Sequence, residues 1–284
     1  MLFFIRKLIE VDNKKRKKYQ ALNLKEKINL SQKIIKTALK RYGWQNTAVA
    51  WTGGKDSTLM LWLIKQTVEN EGWPMPKIMF VDEGDVFPAI RKFTQKIGKK
   101  WGFEFSVAHN DDVSSKAKKI GDRIWVKDLN KINKAELKKL GFKGKSFKYQ
   151  PESLIGNHLM KTTATKIWLR ENKVKALFVG VRWDEQPARA EDDFFRQLKD
   201  PPHFRVEPLL HFKEKDVWQT IHQYKIPYVN LYQKGYRSLG AKTTTQRPDS
   251  KPAWKQNRKK IKERDGRQQD KEKIMARLRA LGYM

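Results

Sequence analysis

The sequence predicts an α/β protein with a mostly parallel open sheet covered on both faces by helices, a three-layer arrangement. Two observations carry this. Short apolar, β-leaning runs at residues 47–50, 77–81 and 176–180 alternate with segments of helical period. At 284 residues, with 39% hydrophobic residues including 10 Trp and 14 Phe, the chain can bury one large core with appendages.

Taken in order, residues 1–28 form a basic arm, dense in Lys14, Lys15, Arg16, Lys17 and Lys18. Ile28, Leu30, Ile34, Ile35 and Leu39 then recur at helical spacing, with Ser31 as a candidate cap. Thr47-Ala48-Val49-Ala50 reads as the first buried strand, and the apolar run from Leu59 to Val68 as the helix after it. Pro74 and Pro76 punctuate the chain before the second strand, 77–81. A helix over 89–99 and a strand over 104–107 complete the next unit. Residues from about 110 to 155 break the alternation, so an insertion is expected there, with a helical lid as its form. A helix over 157–169 leads into the core strand 176–180. The main domain is thus expected to span 29–245. The basic tail, 246–284, ends with Ile274, Leu278 and Leu281 at the spacing of a docking helix.

Between the first strand and its helix lies Trp51-Thr52-Gly53-Gly54-Lys55-Asp56-Ser57-Thr58. Adjacent glycines allow backbone conformations that other residues resist, and they leave no side chain in a ligand's way. Asp56, Ser57 and Thr58 suit a helix start, where free N–H groups and the helix dipole favour an anion. Lys55 adds a full positive charge, so the stretch reads as a phosphate cradle. It is not the Walker loop, which places a hydroxyl residue directly after its lysine; here Asp56 follows Lys55.

Composition excludes several classes. No apolar run approaches the roughly 20 residues that cross a bilayer, and residues 1–5 are too short for a signal-peptide core, so a cytoplasmic protein is expected. With Cys 0 there is no disulfide, thiolate nucleophile or cysteine-ligated cluster. His109, His158, His203, His211 and His222 show no zinc spacing. The formal charge of +31 attracts polyanions, but it is spread along the chain. A nucleotide substrate is favoured over a nucleic-acid partner.

Thr52 to Ser57 resembles the S-G-G-x-D-S loop of the PP-loop ATP pyrophosphatases, with Thr52 for the first serine. Asp82, Gly84, Phe87 and Pro88 match the V-D-T-G-x-x-F-P segment of one branch, the phosphoadenosine phosphosulfate reductase family, with Glu83 for its threonine. Gly180, Arg182, Asp184, Glu185 and Arg189 match its G-x-R-x-D-E-x-x-x-R signature. Pro208-Leu209 to Trp218 resembles P-L-x-x-W-x-x-x-D-V-W, with Phe212 for the first tryptophan, and residues 226–240 resemble I-P-x-x-x-L-Y-x-x-G-Y-x-S-x-G. The likeness runs in order over roughly residues 30–245.

The resemblance implies the Rossmann-like fold of the adenine nucleotide alpha hydrolases and cleavage of ATP between its α and β phosphates, with Mg²⁺. It implies that Thr52, Gly53, Gly54, Lys55, Asp56, Ser57, Asp82 and Gly180 bind ATP. Lys55, Arg182 and Arg189 would be the catalytic cations, and Asp184 and Glu185 the metal ligands. The family's reductases attack a sulfonucleotide with a cysteine; here Gly156-Asn157 stands where a cluster-binding Cys-Cys pair would fall, and Ala241 and Thr244 occupy the C-x-x-C positions. Without a thiolate that chemistry has no nucleophile. The cysteine-independent relatives are the ATP-using subunit of bacterial sulfate adenylyltransferase and the FAD synthetases. The expected reaction is therefore adenylation of a small oxyanion such as sulfate, with a GTPase partner subunit as a candidate partner. The alternatives are an FAD-synthetase-like nucleotidyltransferase and an enzyme that adenylates a tRNA base. Arg264-Asp265-Gly266-Arg267 is a candidate loop to close over the nucleotide.

Overall fold

A computed structural model describes residues 11–266. The expected docking-helix positions Ile274, Leu278 and Leu281 lie outside the described residues, as do residues 1–10 of the basic arm and Arg267.

Helix α1 (Asn13–Ala21) is followed directly by α2 (Leu24–Tyr42). Asn23 and Glu26 start α2 with a reciprocal capping box, the Asn23 side chain accepting from the Glu26 N–H at 3.0 Å and the Asn23 N–H donating to Glu26 at 2.9 Å. Ser31, a candidate cap in the sequence, instead lies inside this helix, where its hydroxyl donates to the Pro208 carbonyl at 2.6 Å. Ile34, Ile35, Ala38 and Leu39 form the buried stripe of α2, as their spacing predicts.

The principal sheet runs in the order β3 (Ser106–Ala108), β2 (Lys77–Val81), β1 (Thr47–Trp51), β6 (Ala176–Val179), β8 (Pro202–Val206), β7 (Phe195–Lys199). All neighbours are parallel except the β7–β8 hairpin at the edge. Val49 lies between Ile78 and Phe178, which makes β1 a central strand with both faces covered. Period-two alternation divides the residues between the layers. Val49, Trp51, Ile78, Phe80 and Phe178 join the core of α2, α3 (Lys55–Glu71) and α4 (Pro88–Trp101). Ala48, Met79, Ala108 and Leu177 join Trp168 and Leu169 of α6 (Ala164–Glu171) in a separate cluster. The β7–β8 hairpin has no counterpart in the sequence reading: its strands, FRQLK and PHFRV, are charged and lack an apolar run.

The expected helical lid is corrected. Residues 110–155 contain an antiparallel pair, β4 (Arg123–Trp125) and β5 (Ser146–Lys148), packed with α5 (Lys131–Lys139). Ile124, Leu129, Leu137, Phe147 and Tyr149 form their own core with Leu159 and Met160. The helix expected over 157–169 begins as Leu154–Asn157, passes through a π-turn at His158–Thr163 and continues as α6. Helix α7 (Glu214–Gln223) packs against α3. No helix among the described residues is long and apolar enough to cross a membrane.

Candidate functional site

Strand β1 delivers the chain to Thr52, and α3 starts three residues later with Gly54 at its N-cap. Gly53 sits at φ +72°, a left-handed conformation, and a Cβ there would lie 2.8 Å from the Ile90 Cγ2. Gly54 has ordinary backbone angles, and a Cβ there would point at the Thr52, Tyr232 and Ser57 hydroxyls, the nearest at 3.4 Å. The loop is internally tied: Thr52 Oγ1 and Ser57 Oγ are 3.1 Å apart, and the Ser57 hydroxyl donates to the Gly54 carbonyl at 3.1 Å. The Lys55 N–H donates to the Tyr232 hydroxyl at 2.9 Å. Gly180, at the end of β6, lets that strand approach the helix start; a Cβ there would lie 2.9 Å from Ser57 Cα.

Lys55, 2% exposed, and Arg182, fully buried, converge on one carboxylate, that of Glu263. Lys55 Nζ pairs with Glu263 Oε1 and Arg182 with Glu263 Oε2, and both cations also pair with Asp56. Arg182 Nε donates to Asp184 Oδ1 at 2.8 Å. Burial would push the Glu263 carboxyl up, but the guanidinium of Arg182 and the ammonium of Lys55 hold it down at about 2. Burial likewise opposes the Lys55 charge, yet Asp56 and Glu263 keep its pKa above the usual lysine range. Asp184 is raised, chiefly by burial and with Glu263 adding to it, against the pull of Arg182.

A cavity of about 320 Å³ opens from this cluster across the carboxyl ends of the strands and beneath α6. Thr52, Gly54, Lys55, Asp56, Ser57, Gly180, Glu185 and Arg189 line it, together with Tyr232, Glu263 and Arg264. Four residues singled out in the sequence do not: Gly53 and Arg182 lie behind the lining, and Asp82 and Asp184 are also outside it. Asp82 is engaged by Arg91 and by the Gly84 N–H at 3.0 Å, while its neighbour Glu83 does face the cavity. Arg189 is 7% exposed; its Nε has no hydrogen-bond partner and its NH1 donates to Asp192 at 3.2 Å. At the far end lie His203 and Arg205, the latter pushed down to about 10 by burial in spite of its ion pair with Glu207.

Asp184 and Glu185 do not form a ready metal site. Asp184 spends its oxygens on Arg182 and on the Glu214 N–H at 2.8 Å, and Glu185 pairs with Arg264 at 2.8 Å. No group of three or more His, Cys, Asp or Glu among the described residues is placed to hold a metal ion.

The model of the phosphoadenosine phosphosulfate reductase domain matches residues 46–247, from the start of β1 to beyond the last sequence motif. The chain belongs to the phosphoadenosine phosphosulfate reductase family. Within that family it is 24% identical over 216 residues to an adenosine 5′-phosphosulfate reductase of Geobacillus, covering 75% of this chain and 77% of that one. It is 25% identical over 219 residues to sulfate adenylyltransferase subunit 2 of Citrifermentans bemidjiense, covering 69% and 63%. Among solved structures, the FMN adenylyltransferase of Candida glabrata with FAD and inorganic pyrophosphate superposes with a TM-score of 0.57 at 17% identity, covering 82% of this chain and 71% of that one. That likeness is one of fold, and it agrees with the mostly parallel sheet flanked by helices.

The sequence resemblance places a cluster-binding Cys-Cys pair at about Gly156-Asn157 and a C-x-x-C pair at Ala241 and Thr244. A Cβ at Gly156 would lie 1.8 Å from the Gln150 carbonyl oxygen, so the backbone leaves no room for any side chain there. Ala241, at the first C-x-x-C position, is fully buried. The sequence reading missed Glu263 as a site residue and passed over Tyr232 and Arg205. Glu263 stands in a lysine-rich stretch without periodicity, and only its contact with Lys55, 208 residues away, reveals it.

Proposed function

We propose that this protein cleaves ATP between its α and β phosphates and transfers the adenylyl group to a small oxyanion, with sulfate as the first candidate. The observation that carries the reading is the convergence of Lys55 and Arg182 on both oxygens of one carboxylate at a glycine-loop helix start. Two cations so placed suit a phosphate edge, and N–H groups of the same turn add the helix-terminal field.

In this reading the β and γ phosphates lie over Thr52, Gly54 and Ser57, with Lys55 at the cavity lining and Arg182 behind it neutralising them. An acceptor oxygen attacks the α-phosphorus, the new P–O bond forms as the bond to the β-phosphate oxygen breaks, and pyrophosphate leaves. Arg189, lining the cavity with an unpartnered Nε, is the cation placed for the α-phosphate or the acceptor. Positioning and charge neutralisation supply the catalysis, and no protein nucleophile is required. Asp184 and Glu185 act by holding Arg182 and Arg264 rather than as metal ligands. The lack of cysteine argues against sulfonucleotide reduction, since no thiolate is available to attack the sulfur.

The test is ATP–pyrophosphate exchange run separately with sulfate, FMN and total tRNA, each at low and physiological salt, with and without a GTPase partner subunit. Sulfate-dependent exchange, lost in Arg189→Ala, is the expected outcome. Stimulation by tRNA alone, weakening steeply with salt, would replace this reading with RNA adenylation. FMN-dependent exchange would assign the flavin nucleotidyl transfer named for the Candida glabrata enzyme.

A further inference from the structure

The chain closes its own phosphate clasp. Residues 257–266 form a strap that brings Glu263 and Arg264 to the cavity lining, and Glu263 is the single acidic residue between Asp249 and Asp265. Its carboxylate is shared by Lys55 and Arg182, as is that of Asp56, while Arg258, Lys259, Lys260 and Lys262 stay exposed. The strap is anchored at both ends. Arg237, held by Glu214 at 2.6 Å, donates to the Ile261 carbonyl, and Gln256 donates to the Gly235 carbonyl at 2.8 Å. Beyond Glu263, Arg264 pairs with Glu185 at 2.8 Å and the Gly266 carbonyl accepts from the Gln246 N–H at 2.7 Å.

An anion cannot join this arrangement; it has to replace part of it. Lys55 and Arg182 supply two positive charges to direct ion pairs with three carboxylates, Asp56, Asp184 and Glu263, so the closed cluster carries one net negative charge. Removing Glu263 leaves it neutral and frees one binding direction on each cation. Asp56 and Asp184 are fixed within the fold, Asp56 in the first turn of α3 and Asp184 by the Glu214 N–H. Glu263 sits on a turn whose neighbours are largely exposed, which makes it the group that can leave.

Resting on the phosphate-clasp reading above, we infer that Glu263 is an internal competitor for the phosphate position, and that a polyphosphate ligand binds by expelling the 257–266 strap. The consequence is quantitative. When the competent state is a fraction of the population, apparent affinity is reduced by that fraction. The reduction is the same for every ligand that uses the clasp and absent for any ligand that does not. ATP and inorganic pyrophosphate belong to the first class, and adenosine to the second. Opening also releases the backbone around Lys259, Lys260 and Lys262, whose side chains are already exposed, from its anchored conformation.

The test compares wild type with Glu263→Gln, and with Glu263→Ala as a second variant, by calorimetric titration with ATP, pyrophosphate and adenosine. Both variants should bind ATP and pyrophosphate more tightly by a common factor, about tenfold or more, with adenosine affinity unchanged. In the wild type, saturating ATP or pyrophosphate should accelerate tryptic cleavage at Lys259, Lys260 and Lys262. If the wild type binds ATP and both variants bind it equally well or more weakly, Glu263 is not a competitor and the inference falls while the adenylyl-transfer reading stands. Slower cleavage with ATP would overturn it as well, by placing the strap over the bound ligand. If neither wild type nor variants bind ATP or pyrophosphate, the clasp reading itself fails and the strap inference with it.

Discussion

The two glycines of the loop should separate under the smallest substitution, alanine. At Gly53 a methyl group meets two obstacles. The backbone φ of +72° is a left-handed conformation, which costs an L-residue about 1–2 kcal/mol. The Cβ would also lie 2.8 Å from the Ile90 Cγ2 and 3.1 Å from the Thr94 Cγ2, where overpacking costs about 1–3 kcal/mol. Ile90 and Thr94 are buried on α4 and cannot step aside cheaply. Gly53→Ala should therefore destabilise by about 2–5 kcal/mol, a large share of the roughly 5–15 kcal/mol available to a domain. At Gly54 the backbone is ordinary and the nearest atom is the Thr52 Oγ1 at 3.4 Å, so Gly54→Ala should cost about 1 kcal/mol or less. Its methyl would stand among the Thr52, Tyr232 and Ser57 hydroxyls of the cradle, so ATP affinity should drop by about tenfold or more. Urea unfolding followed by tryptophan fluorescence and calorimetric ATP titration read the two effects. A Gly53→Ala protein with the wild-type urea midpoint, or a Gly54→Ala protein that is the less stable of the pair, would refute the reasoning.

Lys27, 2% exposed, pairs with Asp216 at 2.6 Å. Lys27→Met should leave that carboxylate buried and unpaired and lower the unfolding free energy by about 3–5 kcal/mol, measured by urea denaturation. Burial pushes His211 down to about 3 from an unfolded value of 6.5. The unfolded chain then takes up the proton first, so this contribution is complete above pH 6.5 and is lost as pH falls toward 3. The loss is about 1.4 kcal/mol per pH unit, and His211→Gln should flatten the measured stability–pH curve across that window. With adenosine phosphosulfate or its 3′-phosphorylated form, thioredoxin and excess dithiol, no enzymatic release of sulfite is expected. A sulfite assay giving turnover would overturn the cysteine argument.

The loop was legible because its cause is local. Strand, glycine turn and helix start are contiguous from Thr47 to Ile64, and period and turn chemistry specify them without distant partners. The spaced motifs carried Arg182 and Arg189 to the same end of the sheet for a related reason: parallel strands bring their carboxyl ends together. The β7–β8 hairpin was not legible, since FRQLK and PHFRV become strands by pairing at a sheet edge rather than by an apolar pattern of their own. Nor could sequence distinguish Gly53 from Gly54, because the difference is set by the side chains of α4 packing beneath one and not the other. Asp82 and Asp184 read as ligand-facing carboxylates, yet Arg91 and Arg182 claim them. Sequence alone thus determined the fold class, the strand–glycine turn–helix loop from Thr47 to Ile64 and the absence of a thiolate. Tertiary structure alone decided which charges meet. Glu263 reaches Lys55 across 208 residues because a buried pair of cations must be neutralised by whichever carboxylate the folded chain brings within reach.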